Sequence, residues 1–197
     1  MTVAVVGGGV VGMLSAYLLA KQGTHVVVLD RQCLGSESSW AGGGIVSPLY
    51  PWRYNDAVAA LAWHSMVSYG LYAHELKANT GVDPELHVCG LHWLDLDDHV
   101  LACEWLQRHG LPCFELSSAQ IECELPLLGG TFTRSLFSPS VANIRNPRLL
   151  KALRAALAQM VNVSLYEHQA VHGLALEAGR VSGVVTASGT IPADCVV

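Results

Sequence analysis

The chain has 197 residues, 51% hydrophobic and 14% charged, which is enough to bury a sizeable core and too apolar for a disordered segment. A net charge of −5 argues against a nucleic-acid grip built on a basic surface, so no nucleic-acid partner is expected. Six cysteines without a Cys-x-x-Cys pair or tight Cys/His zinc spacing argue against a disulfide scaffold; they read as mostly reduced, buried thiols, and no metal is expected.

Residues 2–6 are a short β-branched run with no polar face, which predicts a strand buried on both sides of a parallel sheet. Gly7-Gly8-Gly9 breaks it, and Val10, Met13, Leu14, Tyr17 and Leu18 then follow helical spacing up to a stop at Gly23. His25 to Leu29 predicts a second buried strand, completing a β-α-β unit with a right-handed crossover. Residues 35–48 are rich in Gly and Ser and predict an ordered loop, or a loop leading into a helix. Residues 55–79 predict a long helix, 86–95 a strand, 97–109 a helix, and Ser117 to Glu124 a short helix with Ser117 as its N-cap. Residues 130–137 predict a strand. Pro147 opens a helix over 147–160, where a missing N–H costs nothing. Strands follow near 162–166, 170–176 and 180–187, with turns at Ala178-Gly179 and Ser188-Gly189. Ala193 to Val197 begins another apolar strand, so the chain reads as the N-terminal part of a longer protein. The apolar stretch from Val3 to Ala20 lacks a basic leader and is broken by glycines, so no membrane span and a cytoplasmic location are expected.

The main chemical motif is Gly7-x-Gly9-x-x-Gly12, with Asp30 at the end of the second strand. Gly7 permits the tight turn, Gly9 lets backbone approach a pyrophosphate, and Gly12 lets helix and strand pack closely. The helix start then points its free N–H groups at the phosphates, and the carboxylate accepts from ribose hydroxyls. Asp30, where a cation would suit a 2′-phosphate, argues against NADP; Arg31 reads equally well as stacked on adenine or solvated. The second motif runs from Ser36 through Ser38, Ser39, Trp40, Gly42, Gly43 and Gly44 to Ile45. Its small residues let a loop wrap a ligand, and its hydroxyls and N–H groups suit phosphate or ribityl oxygens. A segment of this kind directly after the second strand suits an FAD enzyme better than an NAD enzyme.

Together with Asn143-Ile144-Arg145-Asn146-Pro147-Arg148-Leu149-Leu150-Lys151-Ala152-Leu153, these segments resemble the D-amino-acid oxidase superfamily of flavoproteins. Within it they are most similar to the glycine oxidase family of thiamine biosynthesis. The resemblance covers the whole chain but only about the first half of such a protein. It implies an α/β fold: an FAD-binding Rossmann-like βαβ domain with an inserted α+β substrate domain, incomplete at the C-terminus. The FAD domain would comprise residues 1–80 and 147–197, and part of the substrate domain residues 81–146. In the family, the positions of Val10 and Val11 meet the FAD pyrophosphate and those of Asp30 and Arg31 hold the adenosine ribose. Asp30 is one methylene shorter than the family's usual Glu. Ser38 and Ser39 match the paired hydroxyl residues of the FAD loop. Gly43, Gly44 and Ile45 match the segment beneath the flavin, and Val171 matches the strand whose backbone meets adenine. The family's substrate-clamping arginine and tyrosine belong to the second half, so no catalytic residue is named.

The implied function is FAD-dependent oxidation of a small amino acid or amine, with glycine going to glyoxylate, ammonia and hydrogen peroxide. D-amino acids and sarcosine are rivals. Two other readings stand beside it: a non-catalytic FAD- or nucleotide-binding module or subunit needing a second chain, and an NAD-dependent dehydrogenase. The expected partners are the small substrate and either a second copy of the chain or a complementing second half. Among residues outside these motifs, His87 and His92 read as surface or satisfied core histidines on opposite faces of one strand. Trp63 reads as core, and Arg145 and Arg148 as domain-junction ion pairs. Tyr50 to Tyr54 reads as an active-site rim or a partner contact.

Overall fold

The structure, a computed structural model, describes residues 1–128 and 130–197. In chain order the elements are β1 (Thr2–Val6), α1 (Val10–Lys21), β2 (His25–Leu29), α2 (Ser38–Ala41), β3 (Ile45–Val46) and α3 (Asp56–Thr80). Then come β4 (His87–Val88), β5 (Leu91–Leu94), α4 (His99–Arg108), β6 (Phe114–Ser117), α5 (Ser118–Glu124), β7 (Arg134–Ser138) and β8 (Ala142–Asn143). The chain continues through α6 (Asn146–Ala158), β9 (Val163–Tyr166), β10 (Val171–Glu177), β11 (Arg180–Thr186), β12 (Gly189–Pro192) and β13 (Cys195–Val196). They fall into two units: Met1–Gly43, Tyr72–Glu85 and Arg145–Val197 make the first, Gly44–Leu71 and Leu86–Ile144 the second.

The first unit is built on a four-stranded parallel sheet in the order β13-β1-β2-β9. Val3, Ala4, Val5, Val26, Val28 and Leu29 are buried, which is why these strands show no polar face. α1 packs against α6, whose Leu149, Leu150, Leu153 and Leu157 are all buried. Each such leucine contributes about 1.5–3 kcal/mol of burial. An antiparallel sheet, β10-β11-β12, shares a cluster with it through Ala4, Leu29, Val184 and Ala193. The β10–β11 turn places both Ala178 (φ +48°) and Gly179 (φ +76°) in the left-handed region, as a two-residue hairpin of matching twist requires. Arg145 and Arg148 both pair with Glu85, at 3.1 and 3.0 Å.

The second unit carries two three-stranded antiparallel sheets, β3-β8-β4 and β5-β7-β6. Trp52, Trp93, Leu96, Ala102, Leu106 and Leu136 form its core. The Trp52 indole donates to Asp98 at 2.8 Å and the Trp93 indole to the Leu49 carbonyl at 2.8 Å, so both rings are buried with their N–H groups satisfied.

Several expectations need correction. The strand over 86–95 is two strands in different sheets, because the Cys89 and Gly90 N–H groups both turn to the Val141 carbonyl. His87 and His92 therefore do not share a strand; His92 stacks on Phe137 at 4.4 Å between ring centroids. In the segment from Tyr50 to Tyr54, Pro51 and Trp52 are buried core rather than rim, whereas Trp63 is 37% exposed. Residues 44–71 belong to the second compact unit, where β3 pairs with β8 and Trp52 packs on Trp93. Strands β3, β6, β8 and β12 had no signal in the sequence. Among the described residues, no helix is long and apolar enough to cross a membrane.

Within the first unit, α1 is tied to the C-terminal part of α3. Glu75 accepts from the Tyr17 hydroxyl at 3.0 Å and from the Lys21 ammonium. The Lys21 hydrogen bond, reinforced by Tyr17, holds the Glu75 carboxyl below the usual range against the opposing effect of burial. A value lower in the folded than in the unfolded chain stabilises the fold above about pH 4.3, and that contribution is lost as pH falls through the depressed value. Glu75→Gln is expected to lower the thermal midpoint at neutral pH and to weaken its fall on acidification. Thermal unfolding from about pH 7 to about pH 3 checks this; identical pH dependence in the two proteins would contradict it.

Candidate functional site

β1 and β2 run in parallel with Val6 opposite Leu29, so the residues that follow them, Gly7 and Asp30, stand at one edge of the sheet. The Gly7 N–H still donates to the Leu29 carbonyl at 2.8 Å, and the chain then turns with φ +113° at Gly7, a region L side chains avoid. Gly9 is the N-cap of α1 and brings no side chain to it. The N–H groups of the first helical turn are therefore free of a local cap, and the helix dipole faces the sheet edge with its positive end. A Cβ on Gly12 would lie 1.9 Å from the Gly7 carbonyl oxygen, so only glycine lets α1 sit this close to the turn.

Two side chains from later in the chain brace that turn. The Asp30 carboxylate accepts the Gly8 N–H at 2.6 Å through one oxygen and the Gln32 N–H at 2.7 Å through the other. The Ser39 hydroxyl accepts the Val10 N–H at 3.0 Å, supplying from a neighbouring loop the cap that Gly9 lacks. Gly9 is what admits it, since a Cβ there would lie 2.8 Å from Ser39 Oγ. Val11, next along α1, is 77% exposed.

A cleft of about 220 Å³ opens beside this turn, lined by Gly7, Asp30, Arg31, Glu37, Gln169 and Val171, among others. Arg31 lies over neither a ring nor open solvent alone; its guanidinium forms a forked pair with Glu37 at 3.0–3.2 Å. The segment leading into β10 closes the cleft, because the Gln169 N–H donates to the Asp30 carbonyl at 2.8 Å and sets Val171 at the mouth. Four residues named from sequence, Gly7, Asp30, Arg31 and Val171, thus meet in one cavity. Glu37, which lies inside the motif over residues 36–45 without a predicted role there, and Gln169, which has no motif, join them. The one available hint was the charge of Glu37, opposite to that of Arg31 a few residues earlier.

The remaining predicted residues lie outside that cleft. Ser38 starts α2 beside Ser39. Gly43 ends one segment of the first unit, and Gly44 and Ile45 begin the second. The Gly44 carbonyl accepts the Ile144 N–H at 2.8 Å, and Ile45 pairs with Asn143 with its side chain 47% exposed. A second crevice of the first unit, about 520 Å³, lies between Leu34, Ser36 and Trp40 on one side and Leu150, Lys151 and Arg154 of α6 on the other. The cleft offers a carboxylate, an ion-paired guanidinium and backbone groups, with the start of α1 beside it, which are means of binding rather than of proton transfer.

A family model described as FAD dependent oxidoreductase (DAO) matches residues 2–197. Glycine oxidase of Pseudomonas putida is 51% identical over 195 residues, covering 99% of this chain and 53% of that protein. Glycine oxidase of Pseudomonas aeruginosa is 47% identical over 192 residues, covering 98% and 53%. Among solved structures, glycine oxidase from Bacillus cereus superposes with a TM-score of 0.90 at 26% identity, covering 99% of this chain and 53% of that one. The chain spans about half the length of the curated relatives it matches.

Gly12→Ala is expected to push α1 off the turn and cost about 1–3 kcal/mol, as overpacking does. Gly43→Ala, where a Cβ meets nothing within 4 Å, serves as the control and shifts the denaturation midpoint little. Equal stability of the two variants in urea unfolding would contradict the assigned contact.

Proposed function

This chain belongs to the DAO family of FAD-dependent oxidoreductases, and from that premise we propose that its first unit holds the adenosine diphosphate part of FAD in an enzyme that oxidises glycine. The observation that carries the proposal is the cleft in which Gly7, Asp30, Arg31 and Val171 meet beside the turn into α1, whose start only the Ser39 hydroxyl caps.

The residues present fit the cofactor. At about 220 Å³ the cleft is smaller than the roughly 300–1,000 Å³ of a pocket for a complete ligand, which suits one portion of a dinucleotide. Asp30 spends one lone pair of each carboxylate oxygen on the Gly8 and Gln32 N–H groups and keeps the others for ribose hydroxyls. Ser39 accepts from Val10 and keeps its own proton to donate to a phosphate oxygen, so it passes the polarity of the helix start to the ligand. The backbone at Val171 meets the base. When bound, FAD would supply the acceptor for the two electrons that leave the substrate Cα–H as a hydride. The chain's own share is to hold and orient it.

Glycine is the favoured substrate because the relatives at 51% and 47% identity are named glycine oxidases. The overall reaction takes glycine, dioxygen and water to glyoxylate, ammonia and hydrogen peroxide. In this reading the second unit is part of the substrate domain. Its side of the enzyme is completed by further chain of the kind that makes up the rest of the relatives' length, and a second copy as a dimer partner is the remaining option. Contrary to expectation, the cysteines are not buried: Cys33, Cys89, Cys123 and Cys195 are exposed and Cys103 and Cys113 half-buried, and six such unpaired thiols suit a reducing compartment, so we assign the protein to the cytoplasm.

The experiment is to purify the whole protein, record its flavin absorbance, and measure peroxide release with glycine, sarcosine and D-alanine. Bound flavin with glycine preferred is the expected result. Bound flavin with D-alanine or sarcosine preferred overturns the substrate, and absence of flavin overturns the cofactor role. Asp30→Ala removes a charged acceptor worth roughly 1.5–3 kcal/mol, so FAD affinity is expected to fall about tenfold to a hundredfold.

A further inference from the structure

The second unit holds a group of residues unrelated to the nucleotide cleft. His99 and Cys103 are four residues apart on α4, which stacks their side chains on one face. Glu115, in β6, comes to the same point. His99 Nε2 lies 3.8 Å from Cys103 Sγ and 3.7 Å from Glu115 Oε2, and Cys103 Sγ lies 3.7 Å from Glu115 Oε1. The imidazole faces one carboxylate oxygen of Glu115 and the thiol the other, and with one donor atom taken from each residue all three lie within 4.8 Å of one another. His99 and Cys103 are half-buried and Glu115 is exposed. Cys103 and Cys113 pack against the unit's tryptophan-rich core, so the buried side of the triangle is rigidly backed.

These spacings are long for a thiol–imidazole or thiol–carboxylate hydrogen bond, but they suit ligands around a common centre. Bond lengths of about 2.3 Å to sulfur and about 2.0–2.2 Å to nitrogen and oxygen give tetrahedral ligand–ligand edges of about 3.3–3.6 Å. The group meets that once the exposed Glu115 carboxylate turns so that one oxygen faces both His99 and Cys103. The donor set is equally telling. A thiolate, an imidazole and a carboxylate select a borderline cation such as zinc over magnesium or calcium, which prefer all-oxygen sites. Two anionic ligands and one neutral one balance a divalent charge.

We propose that His99, Cys103 and Glu115 bind one divalent cation of the zinc class. Binding breaks the Cys103 S–H bond, forms a metal–sulfur bond and releases that proton to solvent. His99 binds as neutral imidazole through Nε2, and water takes the fourth, outward position. The ion links α4 to β6, so it stabilises the second unit. The sequence spacing had given no reason to expect a metal, because Glu115 arrives through the strand pairing of β6 rather than through proximity along the chain.

The test is cobalt and zinc binding by the metal-stripped chain, with circular dichroism to establish that each variant is folded. One Co²⁺ per chain is expected, with the red visible bands of tetrahedral cobalt and a near-ultraviolet thiolate-to-metal band. Cys103→Ser is expected to abolish the thiolate band. His99→Ala and Glu115→Ala are expected to weaken binding by about tenfold or more, no less than loss of an outer-shell partner does. His87→Ala, at an exposed histidine outside the triangle, is the control and leaves binding unchanged. Zn²⁺ alone is expected to raise the thermal midpoint of the wild-type chain and not that of Cys103→Ser. A folded wild-type chain with no thiolate band and no zinc-dependent shift overturns the proposal, as does a thiolate band that survives in Cys103→Ser. Neither readout depends on flavin or on turnover, so failure here leaves the cofactor reading untouched.

Discussion

The contact on which the site depends is the seating of α1 against the turn that follows β1. With no side chain at position 12, the helix backbone stands where a Cβ would be 1.9 Å from the Gly7 carbonyl oxygen. That closeness puts the start of the helix, with its free N–H groups, directly beyond the carboxyl end of a buried strand. The sheet supplies rigidity through Val3, Ala4 and Val5, none of which is more than 3% exposed. The helix supplies the field that an anion answers. Moving α1 outward would leave both in place but no longer aligned.

Everything else around the crevice acts on that arrangement. Asp30 holds the turn from the β2 side through Gly8, and Ser39 holds the helix start from the loop side through Val10. Each of these groups is already satisfied within the chain and still has hydrogen-bonding capacity to spare. A bound nucleotide thus finds its partners preorganised and need not order them. Arg31 is held by Glu37 in an exposed forked ion pair, which orients the guanidinium at the cleft.

Legibility in the sequence followed contact range. The β1-α1-β2 unit was readable to within a few residues because its signals are local: a β-branched run, three glycines, helical spacing and an acid at the second strand's end. Pro147 and the hairpin turn at Ala178-Gly179 were readable for the same reason. What was missed comes from partners distant along the chain. β6 and β12 are strands only because β7 and β11 pair with them. The run over 86–95 looked like one strand, and only the Val141 carbonyl, far along the chain, splits it. Trp52 looked like a rim residue because nothing nearby announces Asp98 and Trp93 as its partners. In the cleft, Glu37 sits within the motif over residues 36–45 but its ion pair with Arg31 is not legible there, and Gln169, fixed by a backbone contact to Asp30, leaves no motif. The His99–Cys103–Glu115 triangle was hidden in the same way.

The most direct test is a comparison of FAD and FMN binding by the purified chain, followed by flavin fluorescence, with ADP as competitor. A first unit that holds the adenosine diphosphate part binds FAD, binds FMN much more weakly because FMN lacks that part, and releases FAD as ADP is added. Equal affinity for FAD and FMN, or FAD binding untouched by saturating ADP, would contradict the assignment of the crevice between α1, Asp30 and Val171.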